Sequence, residues 1–336
     1  MRVRLLPLIP ILAGCAAADL PEAHFIEDFV ARSEPVRCDP IASLTAREAE
    51  VGDVVALSDT SFLVLYPRDR EVALIGPDLE PWRTVAFEEV GPTGVRRPTS
   101  AALVGDSLLY IADQSAQSLK RLDLAGRDRG SVRLPFPPQG VHASPDGVLV
   151  TPFVMGRHPG RLVHRLEGDA PVPIGAATLY FGDMVVNTMA NLVGLASFVD
   201  GRIVAAHQFI VPFAHVFWLG SGEVRRVPLP VPDGLRGRVG RVPATALTEA
   251  NAREIAAVAL ATAADHRTGD LLYLTHTGRE HAADGFEKAI VRLDPALRYR
   301  RSYLLDVDAV RFTYLTAQAR SLVVDQEDRW YSCPTS

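Results

Sequence analysis

The sequence predicts an all-β chain: a six-bladed β-propeller with four antiparallel strands per blade, the last blade closed by a strand from the N-terminus. Three observations predict it. Short apolar or alternating runs, separated by Gly, Asp, Ser and Pro turns, recur along residues 50–333, the pattern of many short strands. A third-strand signature repeats as Leu119-Lys120-Arg121-Leu122-Asp123, Val163-His164-Arg165-Leu166-Glu167 and Ile290-Val291-Arg292-Leu293-Asp294. The final unit ends one strand short, while a spare strand stands ahead of the first complete unit. A unit of roughly 40–50 residues holding four strands is the size of a propeller blade. A β-sandwich also has many short strands, but gives no reason for Arg-Leu-Asp to recur in successive third strands.

In chain order, Arg2 and Arg4 precede the apolar run Leu5 to Leu12, which is too short to span a bilayer. The next residues, Leu12-Ala13-Gly14-Cys15, resemble the bacterial lipobox. That resemblance implies a signal peptide over 1–14, removal before Cys15, and acyl chains on Cys15 that anchor the mature protein in a membrane. Ala16, in place of Asp, resembles the outer-membrane sorting pattern of enteric bacteria. The expected location is the bacterial cell envelope, lipid-anchored at the outer membrane and facing the periplasm. A plain secretory peptide cut after Ala16 to Ala18 is the alternative, and it too exports the protein. Residues 15–34 read as a tether, partly helical, and 35–336 as a single propeller domain.

Blade one covers 51–88, with Phe62 to Tyr66 as its second strand and Val72 to Gly76 as its third. Blade two covers 98–134 and is the clearest copy: Ala101 to Val104, Leu108 to Ala112, Ser118 to Leu124 and Ser131 to Leu134. Blades three (140–175), four (190–230) and five (255–305) follow, with second strands at Val148 to Val150, Arg202 to Ala206 and Leu271 to Leu274. Blade six, from 308, supplies Val310 to Leu315, Ser321 to Val324 and Arg329 to Ser332, and then the chain ends. Each second strand is rich in β-branched and aliphatic residues and follows a turn such as Pro145-Asp146-Gly147. One such sheet cannot bury both faces alone; stacking blades around an axis does so and leaves only short edges.

Propellers commonly close by taking the missing strand from the opposite terminus. Pro35 to Leu44 is the spare strand, and it carries Cys38; the last strand carries Cys333. With Cys15 lipidated, these are the two remaining cysteines. An exported protein favours pairing them, so a Cys38–Cys333 disulfide across the closure is expected, the alternative being two unrelated buried thiols.

Strand parity places the ends of second strands, the loops to third strands and the inter-blade links on one face, called the upper face. The loops there are short and polar in blades one, two and six. In blades three to five they are longer and carry aromatic, Met and Arg residues, the types enriched at binding surfaces. Phe153, Met155, Arg157, Tyr180, Phe209, Phe213 and Arg238 are therefore the candidate ligand-binding residues. The alternative is that these loops pack on one another and cap the channel. Asp113, His207, His276 and Asp325 follow second strands, and His142 sits in a first strand. Such a His/Asp set suits a divalent metal, but an Asp in this place also caps turns. No other cofactor is expected. Trp82, Trp218 and Trp330 read as core.

The chain has 336 residues, 48% hydrophobic and 22% charged, with a net charge of −5. That supports a large core and argues against a nucleic-acid partner, which would require a basic stripe. Gly-x-Ser-x-Gly, His-Glu-x-x-His and phosphate-binding glycine loops are absent. The run Leu109-Tyr110-Ile111-Ala112-Asp113, followed by Ser-x-x-x-Leu-x-x-Leu-Asp, resembles the blade of six-bladed propellers of the NHL and TolB-like type. The likeness covers most of 50–333 and implies fold alone, because such propellers include binding platforms, lactonases and lyases. Two readings follow. One is a lipid-anchored envelope propeller that binds a small molecule or a protein. The other is a metal-dependent hydrolase, lactonase or lyase with its metal at the channel mouth.

Overall fold

The computed structural model describes residues 23–91, 93–154, 160–177, 184–198, 203–239, 257–281 and 285–336. The chain opens with β1 (His24–Ile26), a one-turn helix α1 (Phe29–Arg32), β2 (Glu34–Val36), β3 (Asp39–Pro40) and α2 (Ala42–Thr45). Blade one is β4 (Asp53–Ala56), β5 (Phe62–Tyr66), β6 (Glu71–Ile75) and β7 (Pro81–Ala86). Blade two is β8 (Pro98–Val104), β9 (Leu108–Asp113), β10 (Ser118–Asp123) and β11 (Asp128–Arg133). Blade three is β12 (Pro138–Ser144), β13 (Gly147–Pro152), β14 (Arg161–Glu167) and β15 (Ala170–Ala177). After blade three, α3 (Met184–Ala190) leads into blade four: β16 (Val193–Phe198), β17 (Ile203–Gln208), β18 (Phe213–Trp218) and β19 (Glu223–Pro228). After the short β20 (Pro230–Pro232), blade five is β21 (Ala261–Asp265), β22 (Asp270–His281), β23 (Gly285–Leu293) and β24 (Tyr299–Leu305). Blade six is β25 (Ala309–Leu315), β26 (Arg320–Asp325) and β27 (Trp330–Pro334). Each blade is an antiparallel meander, and the innermost strands β4, β8, β12, β16, β21 and β25 contact one another around a closed ring.

The core lies in the wedges between blades. In β5, Phe62, Val64 and Tyr66 pack against blade six, while Leu63 and Leu65 pack against blade two. The same two-residue period divides the other second strands, as in Leu272 and Leu274 against blade six and Leu271 and Tyr273 against blade four. A strand covered on both faces reads as a continuous apolar run, and this explains why second strands were the most legible elements. Outer strands behave differently. Trp82, expected in the core, is 55% exposed on β7, the outermost strand of blade one, whereas Trp330 is buried against Phe62.

The N-terminal segment is a strap around the outside of blades four to six. β1 runs parallel to β20, pairing His24 with Pro230 and Ile26 with Pro232. Phe29 is fully buried in the wedge between blades four and five, and β2 adds a parallel fifth strand to blade five, Glu34 on Tyr303 to Val36 on Leu305. The folded body therefore begins by His24, ahead of the expected boundary at residue 35. The expected closing strand over Pro35 to Leu44 is also divided. Only Asp39 and Pro40 pair with β27, extended by the Ile41 N–H to the Trp330 carbonyl at 2.8 Å, before α2 turns the chain toward blade one. Pro40 has no N–H to extend the ladder, which limits the strand. Cys38 and Cys333 are joined by a disulfide at this seam, with Cα atoms 4.3 Å apart.

Candidate functional site

The six inner strands enclose an axial channel of about 1110 Å³, just above the usual range for small-molecule sites. Small side chains make the space: Gly140, Ala143, Gly194, Ala196, Ala261 and Ala263 all line it. Polar groups couple neighbouring blades around it. Ser100 Oγ donates to Asp53 Oδ2 at 2.6 Å and accepts the Val141 N–H at 3.2 Å, joining blades one, two and three. His142 Nε2 and Ser197 Oγ are 2.5 Å apart, joining blades three and four. The His266 N–H donates to Thr316 Oγ1 at 3.1 Å between blades five and six. Arg311 Nε donates to the Gly52 carbonyl at 3.1 Å, closing the ring from blade six to blade one. Burial pushes the Asp53 carboxyl above its ordinary range, opposed by its hydrogen bonds from Ser100, Ala101 and Val54 and by the charge of Arg311.

The proposed metal donors do not converge. Asp113 accepts four backbone N–H groups, from Arg96, Arg97, Ser115 and Ala116, so its carboxylate locks the upper loops. Asp325 accepts the backbone N–H groups of Glu327 and Arg329 and pairs with Arg329 Nε at 2.7 Å. Both are turn-capping aspartates. His276 stacks on Phe286 at 4.9 Å, away from the channel lining. His142 and His207 do line the channel. His207 lies on Gly194, where a Cβ would collide with its ring. Among the described residues, no group of three or more His, Cys, Asp or Glu side chains is arranged to hold a metal ion.

Of the candidate binding residues, Phe209 lies at the channel lining, and its backbone joins blade four to the Val258–Ala259 segment. Phe213 is buried with Ile210, Val211 and Ala190, so this loop is a cap packed on α3. Gln208 reinforces the cap, donating from Nε2 to the Ala190 carbonyl at 2.8 Å. Phe153 is half-buried and its N–H is held by the Pro137 carbonyl. Arg238 lies 3.8 Å from Glu280 and 4.9 Å over Phe286, against the long β22–β23 hairpin. That hairpin seats on η1 (Asp233–Leu235), where Gly278, at φ +86°, meets Gly234 with no room for a Cβ on either. Cys15, Met155, Arg157 and Tyr180 lie outside the described residues. Sequence reasoning missed Asp53, Ser100, Ser197, His266 and Arg311. The available signal was that all but His266 are polar residues within first strands, and His266 directly follows one.

The fold is shared with solved structures of low sequence identity. A member of the DUF4221 family from Bacteroides vulgatus aligns over 90% of this chain and 96% of its own, at a TM-score of 0.59 and 7% identity. Virginiamycin B lyase from Staphylococcus aureus aligns over 85% and 80%, at a TM-score of 0.52 and 12% identity. Its catalytically inactive variant with quinupristin gives 0.53 over the same shares, again at 12% identity. These likenesses establish the six-bladed propeller and assign no chemistry. No family model and no curated protein matches the sequence.

The buried histidines carry a pH expectation. Burial holds His142, His207 and His215 down at about 4 and His276 at about 3, with nearby His266, Arg226 and Lys288 acting in the same direction on His142, His215 and His276. In the unfolded chain these rings titrate near ~6.5. Between those values the unfolded chain binds protons that the folded one refuses, so stability is lost as pH falls through this window. Thermal unfolding should show Tm falling from about pH 7 to about pH 4, with a shallower slope in His207→Gln. Equal slopes in the two proteins would show that His207 is solvated.

Proposed function

We propose that this protein is a lipid-anchored cell-envelope propeller that binds a small molecule in its axial channel. The observation that carries the reading is the channel itself: six inner strands surround one cavity lined by small side chains and a few polar groups. The metal-dependent alternative lacks comparable support, because Asp113 and Asp325 are turn caps and His276 packs on Phe286, which leaves only His142 and His207 of the five at the channel. The virginiamycin lyase likeness is one of architecture.

The lipid anchor rests on the lipobox resemblance at Cys15. Among the described residues no helix is long and apolar enough to cross a membrane. The strap adds a geometric consequence. β1 is fixed to β20 on the upper face. Eight residues separate Cys15 from His24, and at roughly 3.3–3.6 Å per residue an anchor at Cys15 would keep the propeller within about 30 Å of the bilayer.

Val55, half-buried on β4, lines the channel and belongs to none of the apolar wedges. Val55→Trp should project an indole into the channel and narrow it while leaving the blades intact. Screening a library of small metabolites by thermal shift should give compounds that stabilise the wild type more than Val55→Trp. Intact-mass analysis of detergent-extracted protein should find acyl chains on Cys15. Compounds that stabilise both proteins equally would place binding elsewhere, and a mature protein without acyl chains would remove the anchor.

A further inference from the structure

The channel contains one cationic side chain that the fold uses only in part. Arg311 is the only lysine or arginine among the described residues lining it. Its Nε is occupied by the Gly52 carbonyl, yet its two terminal nitrogens make no hydrogen bond or ion pair with any described residue. Other half-buried arginines are spoken for: Arg47 pairs with Glu71 and Asp69, Arg70 with Glu89, and Arg121 with Asp169. A guanidinium offers paired, coplanar N–H donors that match a carboxylate in bidentate geometry.

Asp53 stands close enough for its charge and that of Arg311 to interact, but the two form no ion pair. Each is pinned apart from the other. Asp53 Oδ2 is held by Ser100 Oγ, and Oδ1 accepts the Val54 N–H at 2.9 Å; Arg311 is fixed through Nε to the residue preceding Asp53. The result is a fixed acceptor and a fixed cation with two open terminal nitrogens around one end of a cavity, which suits a ligand carrying both a negative group and a neighbouring donor. The other titratable groups lining the channel are His142, His207, His266 and Asp106. His142 and His207 are held neutral by burial, and Asp106 lies in the lower turn between β8 and β9, away from Arg311.

We propose that Arg311 binds the carboxylate of a small hydroxy- or amino-carboxylate in the channel, with Asp53 accepting a hydrogen bond from the ligand's hydroxyl or ammonium group. The proposal rests on the channel being the binding site.

The test is isothermal titration of the wild type with matched sets of small 2-hydroxy and 2-amino acids, their amides, and the corresponding acids lacking the hydroxyl or amine. At least one hydroxy or amino acid should bind, and its amide and its deoxy acid should bind more weakly. Arg311→Gln should weaken binding by about 10- to 100-fold, the effect of losing a charge-assisted contact, and Arg311→Lys should recover part of it. Val55→Trp should weaken binding, and Arg225→Gln, an exposed arginine on β19, should change nothing. Amides that bind as well as acids, or acids that bind Arg311→Gln undiminished, would overturn the carboxylate assignment while leaving the channel reading intact if Val55→Trp still weakens their binding. Binding untouched by Val55→Trp would overturn both. Failure of every acid to bind at millimolar concentration overturns the proposal as well. Thermal unfolding verifies each variant; should Arg311→Gln not fold, the acid–amide comparison on wild type and Arg311→Lys decides.

Discussion

Replacing Arg292 with methionine is expected to cost the fold about 3–5 kcal/mol, the usual loss when one partner of a buried ion pair is removed. Arg292 projects from β23 into the wedge between blades five and six and is 5% exposed. Its Nε donates to Asp270 Oδ2 at 2.6 Å, and Nη2 pairs with Asp265 and donates to Thr268 Oγ1 at 3.2 Å. Nη1 reaches the Tyr314 hydroxyl and the Thr335 carbonyl, each at 3.3 Å. One side chain thus ties blade five to blade six and to the C-terminus. Asp265 and Asp270 are both fully buried. Without Arg292, only Arg300, about half exposed, remains to balance Asp270, and Asp265 keeps no cation. The loss should therefore come mainly from stranded charge rather than from missing attraction. Urea unfolding separates the two. Arg292→Met alone should lower stability by the full amount. Adding Asp265→Asn and Asp270→Asn should recover a large part of it, because buried neutral amides cost less than buried unpaired carboxylates. A single variant within about 1 kcal/mol of wild type would mean that water reaches the aspartates after the exchange.

Arg292 also shows what the repeat could reveal. The third-strand Arg-Leu-Asp pattern marked strand and register correctly, since Leu122, Leu166 and Leu293 all face a wedge. It did not reveal the roles of the polar residues, which depend on neighbours distant in sequence. Arg121 bonds to Asp169 of the next blade, Arg165 to Glu167 on its own strand, and Arg292 to two buried aspartates. A second motif went unrecognised. Asp123 and Arg127, Asp294 and Arg298, and Asp325 and Arg329 each form the same turn. In each, the aspartate caps backbone N–H groups and pairs with the arginine four residues on. That spacing is readable in sequence, and it reassigns Asp325 from metal donor to turn cap. The channel was less accessible to reading. Its lining is drawn from positions about one blade apart, and no local periodicity distinguishes an inner strand from an outer one. The strap was hidden for the opposite reason: β1, β2 and β3 are only two or three residues long, and β2 and β3 contain proline, so they carry no periodic signal at all.

Breaking the Cys38–Cys333 bond is expected to be the costliest change to this protein that leaves its core untouched. The bond closes a loop with a sequence separation of 295. In the chain-entropy account a loop of that size contributes about 5–6 kcal/mol, although measured values often fall lower. Its position increases its importance. A propeller ring is secured where its first and last elements meet, and here the closing strand supplies just two residues to the ladder. Nearby polar support comes from the Ile41 and Trp330 backbone groups, from Trp330 N–H on Thr45 Oγ1 at 3.0 Å and from Cys38 N–H on Asp306 Oδ1 at 3.0 Å. The disulfide therefore supplies the permanence that a longer strand would otherwise provide. Cys38→Ser with Cys333→Ala should unfold at distinctly lower urea than the oxidised wild type, and reduction of the wild type should reproduce that shift. Hydrogen exchange should locate the change, with the Ile41 amide and those of β27 losing protection well before β9 or β22. Free thiols at both cysteines in non-reducing peptide maps, or unchanged protection of β27 in the double variant, would mean that apolar packing of Trp330 against Phe62 and its neighbours closes the ring unaided.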